Sequence, residues 1–467
     1  MICPPPPPTI SDASAAIKCG KLLPTVLLEQ VFGRIEALDP SLNAYHKVFW
    51  KEARQEAIEA DKEITSGNYR GPLHGIPVAV KDVFYLKGHP TTSNSRSMLD
   101  WHANEDATVV KKLKDAGAIL TGQLNTFEFT FGGRPTFDAA FPPALNPWNT
   151  EYVTGGSSSG SGAAVAAGLC LGALGSDAGG SIRTPASFCG IAGLKPTYGL
   201  VSSYGDMPLT HSFDCVGPMA WNSQDCAIIL QEIAGYDKKD PVSAELPPQN
   251  YNACLSEGAT NLKIGLIRHF YTDDWDAPKP IVGAVDNIAA ILQSLGAHVE
   301  EISVSHLMDW HAVGRVLLPA EAYAIHEDRL KNHWEDYGSL ARGRMMLGAT
   351  IRAADYIQAQ RRRSELMEEM DNIFSTYDLI ITTATLDETP LLTDKNPYPN
   401  LETPMIQVPF NLTLHPAISI RAGFSENKMP IGVQIIGRHW EEAKLLGTAH
   451  AVEKSLNLLS IRPTDRF

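Results

Sequence analysis

Two glycine-rich stretches of the sequence carry serines whose hydroxyl groups could act as nucleophiles. The stretch SDAGGSIRTP, residues 176–185, places Ser181 directly after two glycines. The stretch TGGSSSGSG, residues 154–162, presents further serines immediately before a run of small apolar residues. A serine hydroxyl is a poor nucleophile until a base takes its proton. The chemistry of these stretches therefore depends on which side chain supplies that base.

Histidine is the commonest base beside a nucleophilic serine, but the sequence singles out no histidine for this role. The chain has 14 histidines, and none lies at a spacing that marks it as a partner of either serine stretch. Each histidine taken alone is more typical of a surface or structural position. Another kind of base therefore has to be considered.

The serine-rich loop at residues 154–162 also admits three other interpretations. It can be a flexible turn that caps the following helix. It can bind a phosphate at a helix N-terminus, although it lacks the lysine of a nucleotide-binding loop. It can be the nucleophile elbow of α/β-hydrolases, because residues 156–160 match Gly-x-Ser-x-Gly around Ser158. An elbow should follow an apolar strand, and the preceding WNTEYVTG is a weak one.

The elements that must position these side chains alternate between helix and strand. Residues 11–66 have a helical pattern of apolar positions, and residues 76–80 form a predicted buried strand that ends at Lys81. The stretch DATVVKKLKDAGAILTGQLN predicts a helix, a glycine stop at Gly117 and a strand. A central helix is predicted over residues 163–174, where small residues on every side allow close packing.

The C-terminal half continues the same alternation. It predicts a helix over residues 281–295, a long helical region over about 317–375, a strand in YDLIITTA, a strand in MPIGVQIIGR and a closing helix from about Glu441. No linker or tandem repeat divides the chain. We therefore expect one large α/β domain.

The composition excludes several classes of protein. The chain has 467 residues with 39 Lys+Arg against 53 Asp+Glu, and a formal net charge of -14. This charge opposes binding to phosphate backbones and anionic lipids, so we expect a small-molecule partner, no nucleic acid and no membrane. Seven cysteines without paired spacing indicate reduced thiols and no metal centre. The N-terminus MICPPPPPTI does not resemble a secretory signal, and we expect a cytoplasmic protein.

Three motifs, in this order, make the chain resemble the amidase signature family: GPLHGIPVAVKD, TGGSSSGSGAAVAAG and SDAGGSIRTPASFCGIAGLKPTYGLVSSYG. The resemblance extends through DATVVKKLKDAGAILTGQLNTFEF, TPMIQVPFNLTLHPAISI and MPIGVQIIGR, and so covers nearly the whole chain. It implies a single large α/β domain over residues 1–467 with a central mixed β-sheet covered by helices on both faces. Within it we expect an N-terminal helical layer at 11–66, a signature core at 71–230 and a variable helical region at 300–380 that forms the substrate pocket.

This family uses a Ser-cisSer-Lys triad, which the resemblance carries over to three residues of this chain. Ser181 becomes the nucleophile that accepts the acyl group, Ser157 the bridging serine in a cis peptide, and Lys81 the base. Free lysine has a pKa of about 10.4, but burial can lower that pKa by several units. An uncharged Lys81 can then take a proton from Ser157 while Ser157 takes one from Ser181. Ser158 becomes a hydrogen-bonding neighbour, and Ser159 stands where the family usually has glycine.

The resemblance also implies residues that bind the substrate. Four consecutive backbone N–H groups are expected to form an oxyanion hole for the tetrahedral intermediate, those of Ala178, Gly179, Gly180 and Ser181. Phe131 is expected to line the acyl site, although a core position suits an aromatic side chain almost as well.

Four further polar residues near these motifs have less specific interpretations. Asp177 and Arg183 flank the loop that carries the nucleophile, and we expect them to brace it as a pair rather than to take part in the chemistry. His415 and Arg421 lie in NLTLHPAISIRAG, where many relatives have glycine, another small residue or proline. They either tune the choice of substrate or are simply solvated.

These residues predict a serine amidohydrolase that cleaves a small amide or carbamate, with esters as further candidate substrates and with no metal or organic cofactor. The alternative is the glutaminase (A) subunit of a tRNA-dependent amidotransferase, which shares the resemblance and supplies ammonia to a partner. The stretches GDMPLTHSFDCVGPMA and ADYIQAQRRR are more typical of stand-alone hydrolases, so we favour the hydrolase. A Ser158–histidine hydrolase and a binding protein without catalysis are the remaining hypotheses. The sequence does not predict the natural substrate or the oligomeric state, and a homodimer stays open.

Overall fold

One mixed β-sheet forms the framework of the molecule. The computed structural model of the chain describes residues 3–132, 138–394 and 403–463. The strands within these ranges are β1 Tyr45–Val48, β2 Pro77–Lys81, β3 Ile119–Leu124, β4 Gly172–Asp177, β5 Ala192–Lys195, β6 Cys215–Ala220, β7 Lys263–Leu266, β8 His298–Glu301, β9 Leu379–Thr383, β10 Ala417–Phe424 and β11 Pro430–Gly437. These eleven strands of the described residues form a single sheet in the order β1-β3-β2-β4-β6-β5-β10-β11-β9-β7-β8. The predicted single α/β domain with a central mixed sheet is confirmed.

Helices flank this sheet. They are α1 Ile10–Lys18, α2 Pro24–Leu42, α3 Trp50–Thr65, α4 Thr108–Asp115, α5 Ser159–Ala166, α6 Arg183–Cys189, α7 Ser223–Ile233, α8 His269–Thr272, α9 Lys279–Ser294, α10 Leu307–Asn332, α11 Ser339–Met346, α12 Ala353–Phe374, α13 Val408–Leu412 and α14 Glu442–Leu456. Among the described residues, none of the helices combines the length and the apolar character that a membrane crossing requires.

Two central strands lead into the motifs that contain Lys81 and Ser181: β2 ends at Lys81, and β4 ends at Asp177, four residues before Ser181. Every residue of β2 and of β4 is buried, as expected for parallel strands that are covered on both faces. Strand β2 lies between β3 and β4 and pairs in parallel with both. Since parallel neighbours end at the same edge of a sheet, the end of β2 at Lys81 lies beside Ser176 near the end of β4.

The helix after the serine-rich loop is shorter than the sequence pattern predicts. The pattern predicts a helix over residues 163–174, but α5 ends at Ala166 and the chain enters β4 at Gly172. The turn between them contains Gly168, whose φ of +67° is a left-handed conformation that favours glycine. A short apolar run buried on all sides is compatible with either helix or strand, so periodicity could not locate this boundary.

The N-terminal segment contains a strand in addition to its helices. The pattern predicts a helical segment throughout residues 11–66, and α1, α2 and α3 account for most of them. Strand β1 lies between α2 and α3 and pairs antiparallel with β3 at one edge of the sheet. Its four residues are too few for a convincing alternation of apolar and polar positions.

The helix–glycine–strand unit of the DATVVKKLKDAGAILTGQLN motif matches its prediction. Helix α4 is followed by Gly117, with a φ of +80°, and then by strand β3. A Cβ atom on Gly117 would lie 2.5 Å from His74 Cδ2, so a larger residue does not fit in this turn.

The long helical region within residues 300–380 divides into α10, α11 and α12. Gly338 precedes α11, and a short 3-10 turn at Gly348–Thr350 separates it from α12. Helix α10 packs against α11, α12 and α13. This region therefore forms a helical layer beside the segment that contains α13.

Candidate active site

A cavity of about 240 Å³ lies where the two serine-containing loops meet. Ser157 and Ser181 line it, together with Phe131, Arg315 of α10 and Arg344 of α11. No histidine occurs among the described residues that line this cavity. The site thus combines serine hydroxyls with two guanidinium groups and the carboxylate of Asp387, and its described lining does not include the histidine that a nucleophile elbow requires.

Lys81 is completely buried, and its amine lies against two serines. Its Nζ donates hydrogen bonds to Ser157 Oγ at 2.7 Å and to Ser176 Oγ at 2.9 Å. Burial lowers the pKa of Lys81 to about 8, although the carboxylates of Asp206 and Asp214 act in the opposite direction. With a pKa of about 8, roughly a tenth of this side chain is uncharged at pH 7, against about four parts in ten thousand for free lysine.

Asp206 and Asp214 are two buried carboxyl groups that the sequence analysis did not single out. Burial raises the pKa of Asp206 well above its ordinary value and that of Asp214 to about 6. Both therefore carry less negative charge than exposed aspartates do, which limits how far they stabilise the cationic form of Lys81. Asp206 and Asp214 both lie in the stretch GDMPLTHSFDC. The spacing of residues in this stretch gave no sign that the two carboxyl groups act on Lys81.

The backbone around Ser157 holds the hydroxyl against Lys81. The peptide bond between Gly156 and Ser157 is cis, as the resemblance implies. The Ser157 carbonyl accepts hydrogen bonds from Phe127 N at 3.1 Å and from Thr126 Oγ1 at 3.0 Å. A Cβ atom on Gly156 would lie 2.4 Å from the Phe127 ring. Glycine at this position therefore allows Phe127 to pack closely beneath the serine.

Ser181 follows a loop that the buried carboxylate of Asp177 organises. Asp177 accepts hydrogen bonds from Gly180 N at 2.6 Å and from Ile182 N at 3.2 Å. The φ of Gly180 is +111°, so a residue with a side chain would be strained there. Ser158 N donates to the Ser181 carbonyl at 3.2 Å, which joins the two serine-containing loops.

The position of Gly180 changes the expected oxyanion hole. Because the Gly180 N–H is directed at Asp177 and Gly180 is buried, it is not available to a substrate oxygen. The N–H groups of Ala178, Gly179 and Ser181 remain candidate donors to the oxyanion. Of these three residues, Gly179 and Ser181 line the cavity.

Asp177 is held in turn by residues distant in the sequence. Arg183 Nε lies 3.0 Å from Asp177 Oδ2, and both side chains are completely buried. Asn411 Nδ2 donates to Asp177 Oδ1 at 2.9 Å, and Arg183 Nη1 donates to Gln434 Oε1 at 3.0 Å. Burial acts to raise the pKa of Asp177, but Arg183 and Asn411 hold it well below its usual range. The pair braces the loop, as expected, with help from two residues that the sequence analysis did not identify.

Two arginines in the cavity wall were not predicted individually. Arg315 interrupts the largely apolar stretch HAVGRVLL. A charged residue inside such a stretch was the local signal that could have marked Arg315 as a functional residue. Burial lowers the pKa of Arg315, yet an arginine side chain stays cationic in proteins. The guanidinium carbon of Arg344 lies 4.4 Å from the centre of the Phe131 ring. Phe131 thus lines the cavity and also supports one of its positive groups.

Ser158 and Ser159 point away from the cavity. Ser158 is buried, its Oγ donates to the Ser176 carbonyl at 3.3 Å, and its side chain does not cap α5. Ser159 Oγ donates to the Asn125 carbonyl at 3.5 Å. Neither serine is among the lining residues, so the arrangement does not support the elbow hypothesis or a helix cap made by Ser158.

His415 and Arg421 also lie outside the cavity. The His415 ring is buried between Phe374 and His439, with ring centres 4.5 Å and 3.8 Å away. Arg421 is buried and donates to the Ile461 carbonyl at 2.9 Å. Both interpretations that the sequence suggested for these residues, substrate selection and simple solvation, are therefore wrong.

Comparisons with known proteins agree on one family. The family model described as Amidase matches residues 26–446. The A subunit of the Glutamyl-tRNA(Gln) amidotransferase of Prochlorococcus marinus (strain NATL2A) is 37% identical, over 98% of this chain and 99% of the relative. One similar solved structure comes from a vestigial protein complex that reveals the evolutionary origins of an s-triazine catabolic enzyme. Its TM-score is 0.90 and its sequence identity is 31%, and the match covers 96% of this chain and 98% of the chain in that structure. The native peptide amidase of Stenotrophomonas maltophilia has a TM-score of 0.85 and 28% identity, over 96% and 97%.

Proposed function

Because this chain belongs to the amidase family, we propose that it is a serine amidohydrolase that forms an acyl-enzyme on Ser181 and cleaves a small amide carrying an anionic group. The observation that carries the proposal is the contact of 2.7 Å between Lys81 Nζ and Ser157 Oγ. This contact joins a buried amine to a cavity that both Ser157 and Ser181 line.

The proposed reaction begins with the transfer of two protons. Uncharged Lys81 accepts the Ser157 proton while Ser157 accepts the proton of Ser181, and Ser181 Oγ attacks the carbonyl carbon. The Gly179 and Ser181 N–H groups stabilise the negative oxygen of the tetrahedral intermediate. The protons return along the same route to the leaving nitrogen, so that ammonia or an amine departs. Water then attacks the acyl-enzyme and releases the acid.

The charged residues of the cavity support the proposal that the substrate carries an anionic group. Arg315 and Arg344 place two guanidinium groups in the cavity wall and Asp387 adds one carboxylate, so positive groups outnumber negative ones in this lining. Arginine forms strong, directional hydrogen bonds with carboxylates. Phe131 and Leu318 contribute apolar surface to the same part of the lining. We therefore assign the anionic end of the substrate, a carboxylate, to the side of the cavity that α10 and α11 form.

The sequence relatives favour a more specific candidate, the glutaminase subunit of a tRNA-dependent amidotransferase. Curated relatives at 35–38% identity are the A subunits of Glutamyl-tRNA(Gln) amidotransferases, and glutamine is an amide that carries a carboxylate. These relatives support this candidate better than the stand-alone hydrolase that the sequence motifs led us to favour. The chain would then act in a complex and pass ammonia to a partner. Carbamate and ester cleavage stay as candidate side activities of the same acyl-enzyme chemistry.

A substrate panel tests the proposal with the purified chain. Ammonia release is measured with glutamine, with succinamate, and with butyramide, which has no carboxylate. We expect succinamate or glutamine to be cleaved with a higher kcat/KM than butyramide. Cleavage of butyramide with the highest kcat/KM would contradict the assigned anionic end, whereas no cleavage and no reaction with a fluorophosphonate would contradict the acyl-enzyme itself.

The same assay separates the two candidates. A stand-alone hydrolase cleaves its amide as an isolated chain, with a rate that does not change when other subunits are added. A glutaminase subunit favours glutamine, and its rate rises when partner subunits of an amidotransferase bind to it.

A further inference from the structure

The side chain of Gln407 lies beside the proposed nucleophile but takes no part in the proton route. Gln407 lines the same cavity as Ser181, and only 4% of the residue is exposed. A Cβ atom on Gly180 would lie 3.0 Å from Cβ, Cγ and Cδ of Gln407. Because Gly180 directly precedes Ser181, the Gln407 side chain packs against the backbone that leads to the nucleophile.

Hydrogen bonds fix the orientation of the Gln407 carboxamide. Its Nε2 donates to Thr184 Oγ1 at 3.0 Å and to the Ala384 carbonyl oxygen. A carbonyl oxygen can only accept, so the atom beside Ala384 is the nitrogen, and both hydrogens of Nε2 are in use. The Gln407 backbone carbonyl accepts from Arg183 Nη1 at 3.1 Å, which anchors the other end of the residue. Oε1 is therefore the one atom of this carboxamide that can bond to a molecule in the cavity.

The Oε1 atom of Gln407 is an acceptor without a donor among the described residues. Other side-chain oxygens in the described part of the chain also lack a donor because they are sealed inside the protein, such as Thr130 Oγ1 and Ser419 Oγ, but Oε1 of Gln407 is not one of these sealed atoms. It is open to the cavity that Gln407 lines. A ligand that donates a hydrogen bond to Oε1 would satisfy a polar group that is otherwise poorly hydrated.

An acceptor at this position discriminates between leaving groups. The nitrogen of a primary amide carries two N–H donors, whereas the alkoxy oxygen of an ester carries none. Oε1 can accept one N–H of an amide, but it would face the lone pairs of an ester oxygen. The oxyanion, in contrast, needs donors, which the Gly179 and Ser181 N–H groups supply in the proposed mechanism. Oε1 therefore suits the side of the carbonyl carbon that carries the leaving group.

We propose that Gln407 selects carboxamides over esters by accepting a hydrogen bond from the leaving nitrogen, an assignment that rests on the proposed acyl-enzyme mechanism. The bond orients the carboxamide while Ser181 Oγ attacks its carbon. Gln407 takes up no proton: the nitrogen receives the proton that returns through Ser157, the C–N bond breaks, ammonia leaves, and the acyl group stays on Ser181. A site built to bond to an N–H group rejects an analogue that lacks it.

Two substrates that share one acyl group test this proposal. Succinamate and monoethyl succinate form the same succinyl-enzyme and differ only in the leaving group. Gln407→Met removes the acceptor and keeps a side chain of similar length. We expect its kcat/KM to fall about 10- to 100-fold for succinamate and to change by less than about threefold for monoethyl succinate.

Two further variants separate the acceptor from its support. Thr184→Val removes one contact of Nε2 but keeps Oε1, so we expect the ratio of amide to ester kcat/KM to stay within about threefold of the wild-type ratio. Gln55→Met makes the same change as Gln407→Met at the surface, where Gln55 bonds to Glu59, and should leave both kcat/KM values unchanged.

Fluorophosphonate labelling needs no leaving nitrogen, so Gln407→Met should label at close to the wild-type rate. An unchanged amide-to-ester ratio in Gln407→Met, equal losses for the two substrates, or loss of labelling would overturn the assignment of Oε1 to the leaving nitrogen. A wild-type chain that reacts with neither substrate nor the fluorophosphonate would instead overturn the acyl-enzyme mechanism, and this proposal with it.

Discussion

The backbone N–H of Ser158 donates to the carbonyl of Ser181 at 3.2 Å, and this bond fastens together the two loops that carry the proposed nucleophile and its neighbour. Ser158 directly follows Ser157, so the bond also limits how far Ser157 can move from Ser181. The serine that matched a nucleophile elbow thus contributes through its backbone. In the proposed mechanism Ser158 therefore positions the two loops and takes no part in the proton transfer.

The pKa of Lys81 predicts how activity depends on pH. The proposed base must be uncharged, and burial lowers its pKa to about 8. We therefore expect kcat/KM to rise about tenfold per pH unit below pH 8 and to level off above it. An uncharged amide such as butyramide is used, so that the substrate does not titrate. A profile that is flat or falling between pH 6 and pH 9 would not fit this base.

Gly156 and Gly283 form a matched pair for testing how Ser157 is positioned. A Cβ atom on Gly156 would lie 2.4 Å from the Phe127 ring, whereas one on Gly283 meets nothing within 4 Å. We expect Gly156→Ala to lower kcat at least about 100-fold, because the loop must shift by a fraction of an ångström or more. Gly283→Ala lies in helix α9 and should keep full activity with a slightly higher Tm. Equal activity in the two variants would show that close packing on Phe127 is unnecessary.

The Asp177–Arg183 pair predicts a large loss of stability when one partner is removed. Asp177→Asn leaves the buried Arg183 without its carboxylate, which is expected to cost about 3–5 kcal/mol. Thermal unfolding followed by circular dichroism measures the effect. Asp286→Asn is the control, since Asp286 pairs with Arg268 at the surface and such pairs contribute at most about 1 kcal/mol. A Tm for Asp177→Asn as high as that of the control would disprove the bracing role.

Arg344 predicts a selective loss of activity towards anionic substrates. Arg344→Met removes one charged hydrogen-bond donor from the cavity, and kcat/KM for succinamate should fall about 10- to 100-fold. Cleavage of butyramide should change by less than about threefold. Arg342→Met is the control, because Arg342 packs on Trp334 outside the cavity lining. Equal losses with both substrates would mean that Arg344 does not bind the anionic group.

Local patterns in the sequence were sufficient to predict the strand that ends at Lys81, but not the strand β4 that leads to Ser181. The apolar run before Lys81 predicts a buried strand, and β2 ends at that lysine. The helix, the glycine and the strand around Gly117 were predicted because each has a local signal. The boundary between α5 and β4 was not, since a run of small apolar residues has no period that separates the two.

The parts of the site that sequence reasoning missed depend on contacts between distant segments. Asn411 lies 234 residues after Asp177 and bonds to it directly. Arg344 reaches Phe131 from a helix about 200 residues away. The direction of the Gly180 N–H depends on the loop conformation and not on the residue type. A single sequence carries no periodicity or spacing that reports such contacts.

The proton route from Ser181 to Lys81 is tested by the rate at which a fluorophosphonate labels the protein, with the labelled residue identified by mass spectrometry. We expect labelling of Ser181, at a rate that rises with pH up to about 8 in the wild-type chain. Lys81→Met should label more slowly by orders of magnitude and without this dependence on pH. Labelling at Ser158, or labelling of Lys81→Met at the wild-type rate, would contradict the proton route from Ser181 through Ser157 to Lys81.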